Sequence, residues 1–345
     1  MIFLLELKKI LSMAALWSFV ALCFAFNIWA IPSNLRNVDF DTTTPFPENI
    51  FDGYSASETA DVYIAMFNLS DRVADRMAIK HEALQAAANE RAAEGASFSP
   101  YLGELTQVMH LNLFHGVAGV LGRLLFQGML LAALVALLAI GYERASNTEH
   151  SIYTTKKGRG LLRSKIAAGL VAGVGLYILL AAATLAVYFV MFDYGAVWGN
   201  NVSSGFNYVI DIIGARPFIT WRSFTVASYL GASIGLGLLL VVCFSLMGAS
   251  VAVFSKNGYM GFLALLLINA LFLAAPLAIP MNTYSYFASF YSPIWLWWNS
   301  HLWFTDGGIT TLWRHFELWG TGFSFLALAV TCLFAVKKFE KRDIQ

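Results

Sequence analysis

Six long apolar runs divide the chain, and they lie at 11–31, 119–141, 166–191, 226–254, 260–279 and 320–336. A helix needs about 20 residues to cross the hydrocarbon core of a bilayer. Each run satisfies or approaches that length, and polar stretches separate them. We therefore predict an all-α polytopic membrane protein with six transmembrane helices.

Two polar stretches flank the first run. Residues 1–10 place Glu6, Lys8 and Lys9 opposite apolar side chains, which predicts an amphipathic helix lying on the membrane surface. Residues 32–115 are predicted to form a separate domain that is helical from Ser57 to about Glu94. An apolar stripe there predicts packing on another helix or on a second copy, with substrate contact as the alternative; it comprises Val62, Met66, Leu69, Val73, Met77 and Leu84.

Two further stretches have distinctive patterns. Residues 281–317 are dense in Trp, Tyr and Phe, which predicts an interfacial segment or a re-entrant helical pair before the sixth span. Residues 207–218 are predicted to form a short interfacial helix. The small-residue pairs Gly169/Gly173 and Gly231/Gly235 predict close helix contacts in spans three and four.

The composition agrees with a membrane protein. Hydrophobic residues make up 58% of the chain and charged residues 12%, with a mean hydropathy of +0.64. Soluble domains have roughly 25% charged residues. The three cysteines fall inside apolar runs, which predicts buried thiols and no disulfide framework.

Charge is distributed unevenly among the polar stretches. Residues 1–10, the 142–165 loop, the turn at Lys256 and the 337–345 tail together hold thirteen Lys and Arg against five Asp and Glu. The other stretches hold eight against sixteen. Since short basic loops stay in the cytoplasm, we predict a multi-pass plasma-membrane protein with both termini cytoplasmic and with 32–115 and 281–317 outside.

The sequence lacks the motifs that would indicate an enzyme able to act without a partner subunit. It lacks a phosphate-binding P-loop, an H-E-x-x-H zinc motif and a G-x-S-x-G nucleophile motif. Four residues of the outer stretches have side chains that can bind a metal; they are His301, Asp306, His315 and Glu317. Solvated or interfacial side chains of these types are the commoner case, so we predict no metal site. The overall charge gives no indication of nucleic-acid binding.

The loop from Gly141 to Lys165 is the most patterned polar stretch. It carries six basic residues against two acidic ones. An acidic-basic pair (Glu143, Arg144) comes first, a polar helical turn follows, and a basic cluster leads into the third span. We expect a separate molecule to drive the protein by acting on this loop.

This loop resembles the corresponding loop in the membrane subunit of type-2 ATP-binding-cassette exporters. The six spans, the amphipathic start and the aromatic residues of 281–317 are also similar to that family. The residues that match are Glu143, Thr148, Ile152, Thr155, Arg159 and Lys165. The departures are Asn147, Lys156 and Gly158, where the family usually has Gly, Pro and Ser.

The resemblance implies a permease of a bacterial exporter. The loop would be a coupling helix that docks into a separate ATPase subunit, with Glu143, Arg144 and Arg159 forming charge-assisted contacts. ATP and Mg would bind the partner ATPase, and this chain would have no cofactor. A second permease copy, identical or different, would complete the transporter, and its cargo would be hydrophobic or amphipathic.

Two other functions remain open. A non-transporting sensor or scaffold would present the 32–115 domain to a partner. An ion-coupled transporter would need acidic residues in mid-membrane, and the predicted span cores contain none. Arg123, near the outer end of the second span, is expected to reach the interface, form an internal pair, or line a transport path.

Overall fold

The computed structural model describes residues 2–35, 51, 53–95, 108–146, 148, 151, 158, 160–206, 208–211 and 214–341. Within these ranges, six helices are long and apolar enough to cross a membrane. The prediction of a mostly helical, polytopic membrane protein is therefore confirmed.

In chain order the α-helices and strands are α1 (Ile2–Leu11), α2 (Ala14–Leu35), α3 (Ala56–Phe67), α4 (Asp71–Ala93), α5 (Val120–Ala145), α6 (Leu161–Met191), α7 (Val202–Gly205), β1 (Tyr208–Asp211), β2 (Gly214–Pro217), α8 (Val226–Phe254), α9 (Gly258–Ala278), α10 (Tyr284–Ser289), α11 (Pro293–Trp298) and α12 (Phe316–Lys341). Short π- and 3₁₀-helical turns lie at His110–Phe114, Ser300–Leu302 and Gly308–Thr310. The six candidate spans are α2, α5, α6, α8, α9 and α12.

Helices α8 and α5 form the centre of the bundle. Burial within the chain reaches 78% of the most apolar window of α8 and 67% of that of α5, but only 17% for α9. Gly248 of α8 lies directly against Ala133 of α5, because a Cβ on this glycine would be 2.7 Å from the Ala133 carbonyl oxygen. The two central helices therefore touch backbone to backbone.

The two predicted glycine pairs behave differently. Gly169 and Gly173 of α6 face α5, and a Cβ on Gly173 would lie 2.9 Å from the Ala132 Cα, so this predicted contact is confirmed. Added Cβ atoms on Gly231 and Gly235 of α8 would meet nothing within 4 Å. The prediction of a close contact at the second pair is therefore wrong for the part of the chain described here.

Two prolines lie inside helices rather than ending them. Pro32 lies inside α2, which continues to Leu35, and Pro276 lies within α9. Both prolines fall in the last turn of their helix. Few helical residues follow either proline, so its missing N–H disturbs little of the helix.

The apolar stripe in the polar domain after α2 predicts a continuous helical pattern, but the structure contains two helices there. We call α3 and α4 the helical hairpin. Asn68 ends α3 in the left-handed conformation with φ 45°, and Ser70 precedes the first turn of α4. Consequently Leu69, Val73, Met77 and Leu84 are buried, whereas Val62 and Met66 of the predicted stripe are exposed.

Residues 208–217 form a two-stranded antiparallel sheet, and the predicted interfacial helix there is wrong. Tyr208 pairs with Pro217 and Asp211 with Gly214. The β-branched residues Val209 and Ile210 favour a strand over a helix. Proline is tolerated at the end of the second strand because both strands are edges.

The helical hairpin packs on the aromatic residues that precede α12, which we call the aromatic segment (residues 281–315). Tyr63, Val73 and Met77 of the hairpin share an apolar cluster with Phe287 and Leu312 of the segment. The Ser70 hydroxyl donates a hydrogen bond to the Asn282 carbonyl at 2.9 Å, and the Tyr284 hydroxyl donates one to the Arg72 carbonyl at 2.9 Å.

The aromatic segment is itself anchored in the bundle by indole hydrogen bonds. Trp297 Nε1 donates to the Gly122 carbonyl of α5 at 2.7 Å, and Trp295 Nε1 donates to the Phe272 carbonyl of α9 at 2.9 Å. These bonds satisfy the polar edges of otherwise apolar rings. The hairpin, the aromatic segment and the spanning helices thus form one continuous packed structure.

Candidate coupling site

Four charged side chains meet where α1, α5 and α6 come together, and we call them the charged junction (Glu6, Lys9, Glu143 and Lys165). Lys9 Nζ lies 2.6 Å from Glu143 Oε1 and 3.3 Å from Glu6 Oε2. Lys165 forms an ion pair with Glu143 and lies 3.8 Å from Glu6 Oε2. Acidic and basic groups therefore alternate, and their formal charges cancel.

The local sequence explains this arrangement. Glu6 and Lys9 are three residues apart on α1, so their side chains project from the same face. Glu143 belongs to the last turns of α5, and Lys165 belongs to the second turn of α6. Lys9 Nζ also lies 3.9 Å from the centre of the Tyr142 ring, which adds a cation–π contact.

Burial makes these ion pairs important for the structure. Glu143 is 2% exposed and Lys165 is 0% exposed. A buried charge is tolerated only when it is paired, and removing one partner of a buried pair costs about 3–5 kcal/mol. The junction therefore ties α1, α5 and α6 together, and each helix constrains the other two.

Arg144 extends the connection to α8. Its Nη1 donates hydrogen bonds to the carbonyl oxygens of Ala252, at 3.0 Å, and Ser255. These carbonyls lie at the C-terminal end of α8, where unpaired acceptors and the helix dipole favour a cation. Arg144 is thus a side-chain cap on the neighbouring helix.

A more exposed pair links α6 to α12. Arg163 Nη2 lies 2.9 Å from the Glu340 carboxylate. The side chain of Arg163 is 67% exposed, and exposed ion pairs stabilise by only about 0–1 kcal/mol. This contact adds a fifth helix to the network but contributes little energy.

The structure places the residues of the predicted loop motif in three ways. Glu143 and Lys165 are buried and bind each other, and Arg144 caps α8. Thr148 is exposed; its N–H donates to the Glu143 carbonyl at 2.9 Å, and its hydroxyl lies 2.9 Å from the Ser146 hydroxyl. The other three predicted coupling residues lie outside the described residues; they are Ile152, Thr155 and Arg159.

Sequence reasoning missed Glu6 and Lys9 as partners of the motif. The signal was present in MIFLLELKKI, where an acid and a base occupy one face of an otherwise apolar helix. Such a pair in an amphipathic helix has an ordinary explanation as a solvated face. Nothing local indicates that Lys9 meets a carboxylate 134 residues further along the chain.

Arg123, the other candidate site residue, lies in the first turn of α5. Its Nε and Nη2 atoms are buried and have no hydrogen-bond partner, so the expected internal pair is not formed among the described residues. A buried guanidinium nitrogen without a partner is unfavourable. Its role in a transport path stays a prediction.

The four residues considered as metal ligands are not brought together. His315 Nδ1 lies 3.9 Å from Glu317 Oε1, while Asp306 binds Arg216 at 2.8 Å. His301 instead lies beside His115, with ring centres 5.8 Å apart. Within the described ranges, no three His, Cys, Asp or Glu side chains are arranged to hold a metal ion.

Comparison with protein-family models, curated proteins and solved structures finds no match for this chain. Its function must therefore be inferred from its own residues and contacts. The main feature of this site is its position in the chain. Glu143 and Arg144 precede residues 147–159, and Lys165 follows them. The charged junction connects the two ends of this loop to α1, and Arg144 connects it to α8.

Proposed function

We propose that this chain is the permease subunit of an ATP-driven exporter and that a separate ATPase subunit drives it through the 141–165 loop. The observation that carries this proposal is the charged junction. Buried ion pairs connect the two ends of the loop to three helices, and Arg144 connects it to a fourth. A plain connector would not need such a rigid base.

The proposal separates docking from transmission. The exposed Thr148 and the loop residues Ile152, Thr155 and Arg159 contact the ATPase, while Glu143 and Lys165 hold the loop to the spans. ATP and Mg bind the partner subunit, and two permease copies form the transporter. Closure of the ATPases biases the spans between two states.

The orientation follows from the charge distribution. The junction and both termini lie in the cytoplasm of a bacterial cell, because their loops are basic. The helical hairpin lies outside, and the aromatic segment enters the outer leaflet and returns. Helix α1 lies on the inner membrane surface, where Leu4 and Leu5 are exposed for contact with lipid.

The cargo is hydrophobic or amphipathic, such as a peptide, an antibiotic or a lipid-like compound. An apolar cavity of about 80 Å³ lies between α5, α8, α9 and α11. Its apolar lining agrees with this class of cargo, although its volume is below the roughly 300–1,000 Å³ of pockets that hold drug-sized ligands. The Asn269 side chain is its polar feature, and its Oδ1 atom has no hydrogen-bond partner within the described part of the chain. Other residues of its lining are Phe126, Met129, Phe244, Phe262 and Ile294.

The experiment is co-purification of the tagged chain from its native membrane, followed by an assay of ATP hydrolysis. We expect an ATPase to co-elute with the wild type and to be lost with Ile152→Asp combined with Arg159→Glu. Lys256→Ala, in the exposed turn between α8 and α9, is the matched control and should retain it. An eluate without ATPase from the wild type, or an undiminished one from the double variant, would overturn the proposal.

A sensor or scaffold is the second candidate, and the exposed apolar side chains of Val62, Met66 and Ile79 on the helical hairpin favour it. Such a protein would bind a partner through the hairpin and would need no driving loop. Deleting residues 147–159 would then leave partner binding unchanged in the full chain. Loss of function in that deletion, with the chain still folded, supports the exporter instead.

A further inference from the structure

A buried lysine joins the helical hairpin to a tight loop of the aromatic segment. Lys80 of α4 is 3% exposed, and its Nζ points into the loop formed by Asp306–Thr311. It lies 2.7 Å from the Gly308 carbonyl oxygen, 3.0 Å from that of Thr311 and 3.5 Å from that of Asp306. The Asp306 carboxylate lies 3.6 Å away.

This geometry matches the donors of an alkylammonium group. An ammonium carries three N–H donors that diverge from one point. Three carbonyl oxygens converge on the Lys80 nitrogen, and one carboxylate lies 3.6 Å from it. We call this set of oxygens the ammonium socket.

The loop holds its shape through its own contacts. Gly307 and Gly308 have φ values of 71° and 61°, which favour glycine, and a Cβ on Gly307 would lie 2.7 Å from Phe316 and Thr311 side-chain atoms. The Thr311 hydroxyl donates to the Asp306 carbonyl at 2.6 Å, and the Gly307 N–H donates to the Thr305 hydroxyl at 3.2 Å. The socket therefore does not depend on Lys80 for its backbone conformation.

The Asp306 carboxylate has a second cationic partner besides Lys80. Burial raises the pKa of the Asp306 carboxyl, but Arg216, at 2.8 Å, and Lys80 together hold this pKa below its usual range. The carboxylate is ionised at neutral pH and remains paired with Arg216. An empty socket would thus present three carbonyl dipoles and an ionised carboxylate to an incoming cation.

We propose that the Asp306–Thr311 loop is a binding site for primary ammonium groups and that Lys80 occupies it as a tethered ligand. In this state Lys80 fastens the helical hairpin to the aromatic segment. A ligand with a primary ammonium group, from a lysine side chain or an ethanolamine head group, competes with Lys80 and releases the hairpin. This site does not depend on the transport proposal.

The test uses the full chain with Lys80→Ala and n-butylammonium as the probe. We expect the substitution to lower the thermal midpoint of unfolding, and n-butylammonium to restore at least half of the loss in a saturable manner. Tetramethylammonium, which has no N–H donor, should restore nothing at the same ionic strength. Equal effects of the two cations, or equal effects of n-butylammonium on Lys80→Ala and on the control Lys256→Ala, would overturn the proposal.

Lys80→Arg keeps the charge but replaces three convergent donors by a planar fork. We expect this variant to lose as much thermal stability as Lys80→Ala, and stability equal to the wild type would overturn the ammonium specificity. If Lys80→Ala does not fold, the wild type provides the measurement. n-Butylammonium should then speed acetylation of Lys80 relative to Lys256, and no change in that ratio would overturn the proposal.

Two further arms distinguish the sources of the ammonium group. Nα-acetyl-lysine amide should stabilise Lys80→Ala in phosphatidylcholine nanodiscs if the natural ligand is a peptide. Phosphatidylethanolamine nanodiscs should stabilise it without any addition if the ligand is a lipid. Stabilisation in neither arm would overturn competition by an external ligand.

Discussion

Lys165 of α6 and Glu143 of α5 form a buried ion pair, and Lys9 of α1 approaches the same carboxylate to 2.6 Å. One carboxylate thus connects three helices at the point where the 147–159 loop begins and ends. Neither Glu143 nor Lys165 is available at the surface. Their position favours transmission of a movement over direct contact with a partner protein.

We predict that Lys165→Met destabilises the chain by about 3–5 kcal/mol, because it leaves Glu143 buried with a weaker set of partners. Glu143→Gln should have a comparable effect. Chemical unfolding in detergent checks both values. The double variant should lose clearly less than the sum of the single losses, and strict additivity would contradict a direct interaction between the two side chains.

Arg144→Gln should loosen the C-terminal end of α8. It removes charge-assisted hydrogen bonds to the carbonyls of Ala252 and Ser255, which are worth about 1.5–3 kcal/mol each at most. Hydrogen exchange of the amides from 252 to 257 should accelerate. Arg163→Ala, which breaks an exposed pair with Glu340, is the control and should leave these amides unchanged.

Gly248→Leu should separate α5 from α8, because a Cβ at this position would already lie 2.7 Å from the Ala133 carbonyl oxygen. We expect a loss of at least about 1–3 kcal/mol, which is usual for overpacking. Gly231→Leu places the same side chain on the same helix in open space. A thermal unfolding comparison should show little or no loss for Gly231→Leu, and equal losses would contradict the close contact.

Acid should destabilise the folded chain through two buried histidines, His81 in the helical hairpin and His110 before α5. Burial lowers the pKa of His81 to about 4, with Lys80 adding to the effect, and burial lowers the pKa of His110 to about 3. Both histidines are neutral in the folded chain. In the unfolded chain a histidine side chain has its ordinary pKa of about 6.5 and binds a proton below that pH. Their contribution to stability is therefore complete above pH 6.5 and is lost as the pH falls toward 4 and 3.

Each of these histidines should add a slope of up to about 1.4 kcal/mol per pH unit to the free energy of unfolding in that window. Unfolding curves measured from pH 7 to pH 4 check this. His110→Phe should flatten the slope, since a phenyl ring can keep the stacking on Phe206, whose ring centre lies 4.4 Å away. An unchanged slope in His110→Phe would contradict its burial as a neutral group.

Hydropathy and charge predict the six spans and the helical class because both depend on composition over about 20 residues. The break between α3 and α4 also has a local signal in the sequence. Asn68 is a residue type that ends helices, and Ser70 is one that starts them. The strands at 208–217 contain β-branched residues that favour a sheet, although a short interfacial helix was predicted there. The apolar environment of a membrane interface gives both forms similar patterns.

The side-chain partnerships could not be predicted, because they join distant parts of the chain. Lys80 lies 226 residues from the Asp306 carbonyl and looks like one of many solvated charges on a polar helix. Glu143 and Lys165 are among the residues that match the exporter loops. Their burial against Glu6 and Lys9 depends on where α1 packs. Sequence thus predicted which residues matter at the loop and not what they contact.

The most direct test of the account is hydrogen exchange on the chain purified with its ATPase, with ATP and vanadate present or absent. In the wild type we predict that nucleotide changes exchange in the loop and also in residues 2–11 and 161–170. In Lys165→Met, with the ATPase still bound, the change should stop at the loop. A nucleotide response in residues 2–11 that survives Lys165→Met undiminished would contradict transmission through the charged junction.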